Sequence, residues 1–216
     1  MKSVLVIGMG RFGRHLASKM LELGNDVMVV DKNPELIEQV SVVFTDSQIA
    51  DCTNAGVIKS LGVENYDICF VAIGDDFQSS LVVTSLLKKN GAKHVVAKSK
   101  RDIQAEILKQ IGADEVVYPE RQIAEKLAVR YNAKNIFDYV ELTSEYSIYE
   151  IPLIPDWAGR TIASVNVRRK YSVNIIAMKS GNSLYPVPGP DYVFQPGDHM
   201  VVIGRSTDVF KLSAKT

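Results

Sequence analysis

Residues 8–13 run Gly8-Met9-Gly10-Arg11-Phe12-Gly13, and Asp31 follows Gly13 by 18 residues. Glycines at this spacing suit the holding of a phosphate chain by backbone. Gly8 would make a tight turn, Gly10 would let backbone approach phosphate, and Gly13 would allow close packing of helix on strand. The anion would sit at the N-terminus of the following helix, where unpaired N–H groups and the positive end of the dipole favour it. Asp31 closes the run Asp26-Val27-Met28-Val29-Val30, where its carboxylate can accept hydrogen bonds from both ribose hydroxyls and would repel a 2′-phosphate. The pattern predicts a dinucleotide or nucleoside triphosphate and disfavours NADP; ATP, ADP, NAD and NADH share the parts it reads. Arg11, inside the loop, is either a partner for β or γ phosphates or a solvated arginine at a helix start.

Further candidates fall at the ends of later strands. Asp51-Cys52-Thr53 follows the third and can meet an adenine edge, although Asp51 or Thr53 can equally cap the helix starting near Asn54. Ile73-Gly74-Asp75 follows the fourth, Lys98 ends the fifth, and Glu120 opens the helix after the sixth. Lys32 and Asn33 beside Asp31, Ser99 beside Lys98, and Gln104 in the helix after it complete the candidate set. These groups converge on the C-terminal rim of a parallel sheet, where open α/β folds bind ligands. An oxidoreductase would need an acid or base beside the nicotinamide, and His15, His94 and His199 show no such partner pattern. Cys52 and Cys69 lack metal-ligand spacing and read as reduced structural thiols. The expectation is a sensor, not an enzyme; the rivals are a small NAD-dependent oxidoreductase and a regulator that reads NADH.

The elements that must position these residues are legible as alternating strands and helices, the mark of a parallel sheet covered on both faces. Strands are predicted at 4–7, 27–30, 42–45, 68–73, 94–97 and 115–118, with helices at 11–23, 76–89 and 102–111. Asn33-Pro34 is an N-cap followed by proline at the first helical position. Beyond 118 the grammar changes. An amphipathic helix at 120–132 is followed by short strands at 137–142, 146–151, 173–178 and 199–203 and a short helix near 161–165. Pro186-Val187-Pro188-Gly189-Pro190 and Gln195-Pro196-Gly197-Asp198 read as turns. The chain is therefore expected to be α/β: a Rossmann-like parallel sheet at 1–118, a linking helix at 119–134, and a smaller α+β domain at 135–216.

Apolar residues make up 46% of the 216, and 25 Lys plus Arg balance 25 Asp plus Glu, which gives no electrostatic argument for nucleic acid. No run approaches the roughly 18 apolar residues of a membrane span, and Met1-Lys2-Ser3 leads straight into a strand, so a soluble cytoplasmic chain is expected.

With these residues assembled, the chain resembles the RCK (regulator of potassium conductance) or KTN family, the cytosolic regulatory subunits of Ktr and Trk potassium transporters. The resemblance spans nearly the whole chain. It is carried by the glycine loop, Asp31, Ala50-Asp51-Cys52-Thr53, Val71-Ala72-Ile73-Gly74, Ile111-Gly112-Ala113-Asp114 with Pro119-Glu120, and Asn166-Val167-Arg168 with Pro196-Gly197-Asp198. It implies homodimers assembled into an octameric ring, peripheral to the inner face of the membrane and docked on an integral-membrane potassium-translocating subunit. It also implies gating by ATP against ADP, or response to NAD and NADH in Trk-type members. Residue by residue, it puts Arg11 on terminal phosphates, Asp31 on ribose, Asp51 and Cys52 near adenine, and Lys98 facing the nucleotide. Glu120 would lie near the γ-phosphates, with Mg2+ or another cation between subunits. The second domain would take cyclic di-AMP, with Val167, Arg168, Asn174, Ile175 and Pro188 as candidates. One departure is Gln104, where some Ktr-type subunits carry histidine.

Overall fold

The computed structural model describes residues 1–132 and 136–215, without the side chains of Arg130 and Asn132. Positions 133–134 of the expected linker, and 135 and 216 of the expected second domain, lie outside the described residues. The chain forms two compact units, Met1–Gln122 and Ile123–Thr216.

In the first unit β1 (Ser3–Ile7), β2 (Asp26–Asp31), β3 (Ser47–Ile49), β4 (Ile68–Val71), β5 (Val95–Lys98) and β6 (Glu115–Val117) form one parallel sheet in the order β3-β2-β1-β4-β5-β6. The connections carry α1 (Arg11–Glu22), α2 (Pro34–Ser41), α3 (Ala55–Ser60), α4 (Phe77–Lys89) and α5 (Asp102–Gln110), while α6 (Pro119–Asn132) follows β6. Side chains alternate across a strand, and β1 shows both faces buried: Val4 and Val6 join Val27, Val29, Ile37 and Val40, whereas Leu5 and Ile7 join Val71, Leu87 and Leu108. Each fully buried leucine, such as Leu5, Leu87 or Leu108, contributes roughly 2 kcal/mol. The order of strands reverses at β1 and β4, so a crevice opens beyond their C-terminal ends.

The third strand departs from the expectation of 42–45. Val42 and Val43 are 87% and 55% exposed, and the Phe44 N–H still donates to the Val40 carbonyl at 2.9 Å, so this apolar run closes α2. Only Phe44 is buried, against the sheet; the strand is the polar Ser47-Gln48-Ile49, at the sheet edge where one side pairs with β2. The motif Ile111-Gly112-Ala113-Asp114 serves the scaffold. Asp114 accepts from the Val95 N–H at 2.7 Å and from Lys88 Nζ at 2.9 Å, tying the start of β5 to α4.

The second unit is an antiparallel sheet of β7 (Asp138–Glu141), β8 (Tyr146–Pro152), β9 (Val173–Ser180), β10 (Ser183–Pro186) and β11 (His199–Arg205), in the order β10-β9-β11-β8-β7. Tyr149, Ile151, Met178, Met200 and Val202 supply its inner face, closed by Trp157, Phe194, Val209 and Leu212. The Asp198 carboxylate accepts from Tyr192 Oη and the Gln195 N–H, both at 2.9 Å, which locks the turn before β11. α7 (Ile162–Val165) matches the short helix expected there; α8 (Val167–Tyr171), β10 and α9 (Ser206–Ser213) were not expected. No helix among the described residues is long and apolar enough to cross a membrane.

Candidate functional site

The glycine loop fills the turn from β1 into α1. Gly8 has φ +101°, a backbone that only glycine adopts without strain, and its N–H donates to the Val30 carbonyl at 2.8 Å. A Cβ on Gly13 would lie 1.9 Å from the Gly8 carbonyl oxygen and 3.2 Å from Ala72 Cβ. The third glycine is thus needed chiefly for packing inside the loop itself, with β4's exit as a second neighbour, rather than for helix on strand alone. Around Gly10 a Cβ would meet nothing within 4 Å, so the loop is open there. Gly10 caps α1 without a side chain and no acidic residue stands in its first turn, which leaves this helix end suited to an anion.

Beyond β1 and β4 lies an open cleft of about 220 Å³. Of the residues singled out from sequence, Gly8, Gly10, Asp31, Lys32, Asp51, Cys52, Thr53, Ile73, Gly74 and Asp75 line it. Ile7, Leu36, Ala50, Ala72, Asp76, Ser79 and Val83 also line it and were missed. Asp76 and Ser79 had a signal, since they open the helix after the fourth strand; the apolar lining looks like ordinary core.

Asp31 is fixed from two sides: one carboxylate oxygen accepts from the Met9 N–H at 2.6 Å and the other from the Asn33 N–H at 2.8 Å. Each oxygen keeps a further acceptor site for ribose. The Asn33 side chain is engaged elsewhere, capping α2 through the Glu35 N–H. Asp51 accepts from the Thr53 N–H and hydroxyl at 3.0 and 2.8 Å, and these bonds hold its carboxyl below the usual range. Neither Asp51 nor Thr53 caps α3; Asn54 does, through the Gly56 N–H. Cys52 is buried, and burial pushes its thiol up to about 12, so it is an inert wall at neutral pH.

The other candidates stand outside the cleft lining. The Lys98 side chain, 9% exposed, ends β5 with Nζ 2.6 Å from a Glu120 carboxylate oxygen and 5.4 Å from the centre of the Phe12 ring. A Cβ on Gly74 would sit 3.5 Å from Lys98 Nζ, so the ammonium borders both the glycine loop and the cleft rim. Lys98's hydrogen bond is also the main reason the Glu120 carboxyl is held below its usual range. Lys100 pairs with Asp75 at 2.5 Å and Arg121 with Asp102 at 2.7 Å. Arg11, exposed at the first position of α1, enters no ion pair shown among the described residues. Ser99 donates to the Arg101 carbonyl at the start of α5, and Gln104 is half-buried on α5. Glu120 meets an ammonium instead of further carboxylates, and no group of three metal-ligating side chains occurs among the described residues, so one chain does not by itself fit a metal.

In the second unit Val167 is buried, Arg168 and Asn174 are exposed, and Ile175 and Pro188 are half-buried. A cavity there lies against Leu153, Pro196 and His199 and includes none of these five.

The sequence matches the TrkA-N domain over residues 4–119 and the TrkA-C domain over residues 148–215. It is 34% identical to Ktr system potassium uptake protein C of Bacillus subtilis (strain 168), covering 99% of this chain and 97% of that protein. Ktr system potassium uptake protein A of the same strain is 31% identical, over 96% of this chain and 94% of that one. Among solved structures the GsuK channel superposes with a TM-score of 0.70 at 20% identity, covering 98% of this chain and 38% of the channel chain, a likeness of fold. The chain belongs to the RCK family of Ktr and Trk potassium uptake proteins, a TrkA-N domain followed by a TrkA-C domain.

Proposed function

We propose that this chain is the regulatory subunit of a Ktr-type potassium uptake system, and that it senses ATP against ADP in the cleft beyond β1 and β4. The observation that carries the choice of nucleotide is the set of basic side chains at one rim of the cleft. Beside Gly74 stand Lys98 and Lys100, each held by an exchangeable carboxylate, Glu120 or Asp75. Next to Gly10 stands Arg11, which enters no ion pair shown among the described residues, a setting that suits terminal phosphates better than an uncharged nicotinamide amide. Asp31 holds the ribose, the Gly8–Gly13 loop holds the first phosphates, and Asp51 with Cys52 borders the base. None of the three histidines lines the cleft, which supports a sensor over a hydride-transfer enzyme.

In this reading homodimers assemble into a ring on the cytosolic face of a separate membrane subunit, and nucleotide exchange biases the ring between two states. That requires ATP and ADP to differ in affinity for the two states, because equal binding shifts nothing. Full-length similarity to Ktr system proteins at 34% and 31% identity supports the partner class. The test is calorimetric titration of nucleotide-free protein with ATP, ADP, NAD and NADH, with and without magnesium. Tight binding of ATP and ADP, with magnesium altering only the ATP case, is expected; a clear preference for NADH would replace this reading with a Trk-type redox sensor.

A further inference from the structure

We infer that Glu120 is a built-in competitor for ligand phosphate: its carboxylate holds Lys98 Nζ, and phosphate that takes Lys98 loosens the first turn of α6 by removing that contact. The inference rests on the nucleotide reading above and adds a residue that tunes phosphate affinity and couples it to a helix.

The pair is lopsided. Lys98 has a side chain 9% exposed, whereas that of Glu120 is 65% exposed. A buried ammonium is costly to leave unpaired, while an exposed carboxylate returns to water at little cost. The favourable event is therefore replacement of one anion by another on a cation that never stands alone. Position makes phosphate the replacement: Lys98 Nζ lies over Phe12 of the glycine loop and against Gly74 of the cleft rim. Glu120 is the second residue of α6, the helix along which the chain passes from the first compact unit to the second. Released, it still sits comfortably in a first helical turn, where the dipole favours an acid. Arg121 of the same turn pairs with Asp102, exposed on both sides, and lies over the Tyr118 ring at 4.4 Å from its centre.

Four full-length chains decide the matter in chelator-treated buffer: the parent, Glu120→Gln, Lys98→Met and the double variant, each confirmed folded by circular dichroism. ADP, inorganic pyrophosphate and adenosine are titrated into each. Glu120→Gln should tighten ADP and pyrophosphate by about threefold to tenfold and leave adenosine unchanged. Lys98→Met should weaken both phosphates, and adding Glu120→Gln to it should then change nothing, the non-additivity expected of one shared contact. Saturating ADP should speed hydrogen exchange at the amides of residues 122–126 in the parent to the rate of nucleotide-free Glu120→Gln. Unchanged or weaker ADP binding by Glu120→Gln, or an equal gain in the Lys98→Met background, overturns the inference while leaving the nucleotide site standing. Folded chains that bind neither ADP nor adenosine would overturn both.

Discussion

The two ends of the cleft are built on different principles. At the ribose end the carboxylates of Asp31 and Asp51 are held by the backbone N–H groups of Asn33 and Thr53, two residues on, and Asp31 also by the Met9 N–H beyond the neighbouring strand β1. At the rim beside Gly74 charged side chains hold one another: Lys98 with Glu120 and Lys100 with Asp75. A donor on the main chain is not displaced when a ligand arrives, so the first end recognises. Side-chain pairs exchange partners, so the second end responds.

The sharpest break in this contrast comes from the scaffold. Gly13→Ala puts a methyl 1.9 Å from the Gly8 carbonyl, and the loop must move away from its neighbours. Destabilisation on the order of 2–4 kcal/mol and loss of all nucleotide binding are expected, read by thermal melts and calorimetry. Asp31→Ala deletes the acceptor of two N–H bonds together with the ribose contact, and should weaken ADP and ATP alike by about tenfold to a hundredfold. Equal loss for both ligands is what marks the recognising end. Arg11→Ala should instead lower the preference for ATP over ADP by about fivefold while sparing ADP itself; loss of both to the same degree would move Arg11 to the other class.

The smallest effect is a matter of pH. Glu120's carboxyl lies below its ordinary 4.5 in the folded chain, so the unfolded chain binds more protons across that interval. The contribution is whole above pH 4.5 and fades as pH falls through the depressed value. Since Glu120 is largely exposed, it is worth less than about 1 kcal/mol. The melting temperature of Glu120→Gln should therefore trail the parent at pH 7 and converge with it once the pH has fallen through the depressed value.

What could be read from the sequence follows the range of the forces involved. The glycine loop, the Asp31 strand end and the alternation of strand and helix are local patterns, and each corresponds to an observed element. The run Val42-Val43-Phe44 misled because apolarity alone does not separate a buried strand from a helix end in which one residue of three is covered. α9 was missed because its pattern is short, with Val209 and Leu212 as its buried apolar positions. The pairing of Lys98 with Glu120 spans 22 residues and the bond from Met9 to Asp31 the same, so both exist only once the sheet has formed. The apolar cleft lining was invisible for another reason: Ile7 and Val83 also serve the core, and the same side chains do both jobs.

The bond from the Met9 N–H to Asp31 has a kinetic meaning as well. It ties the glycine loop to the end of β2 through groups of the chain itself, so the loop does not have to be ordered during binding. Encounter with an adenosine phosphate should then proceed without a slow isomerisation, at a rate similar for mono-, di- and triphosphates, and the lifetimes of the complexes should carry the differences between them. A chain of this design samples the nucleotide pool quickly and keeps its discrimination in how long each occupant stays.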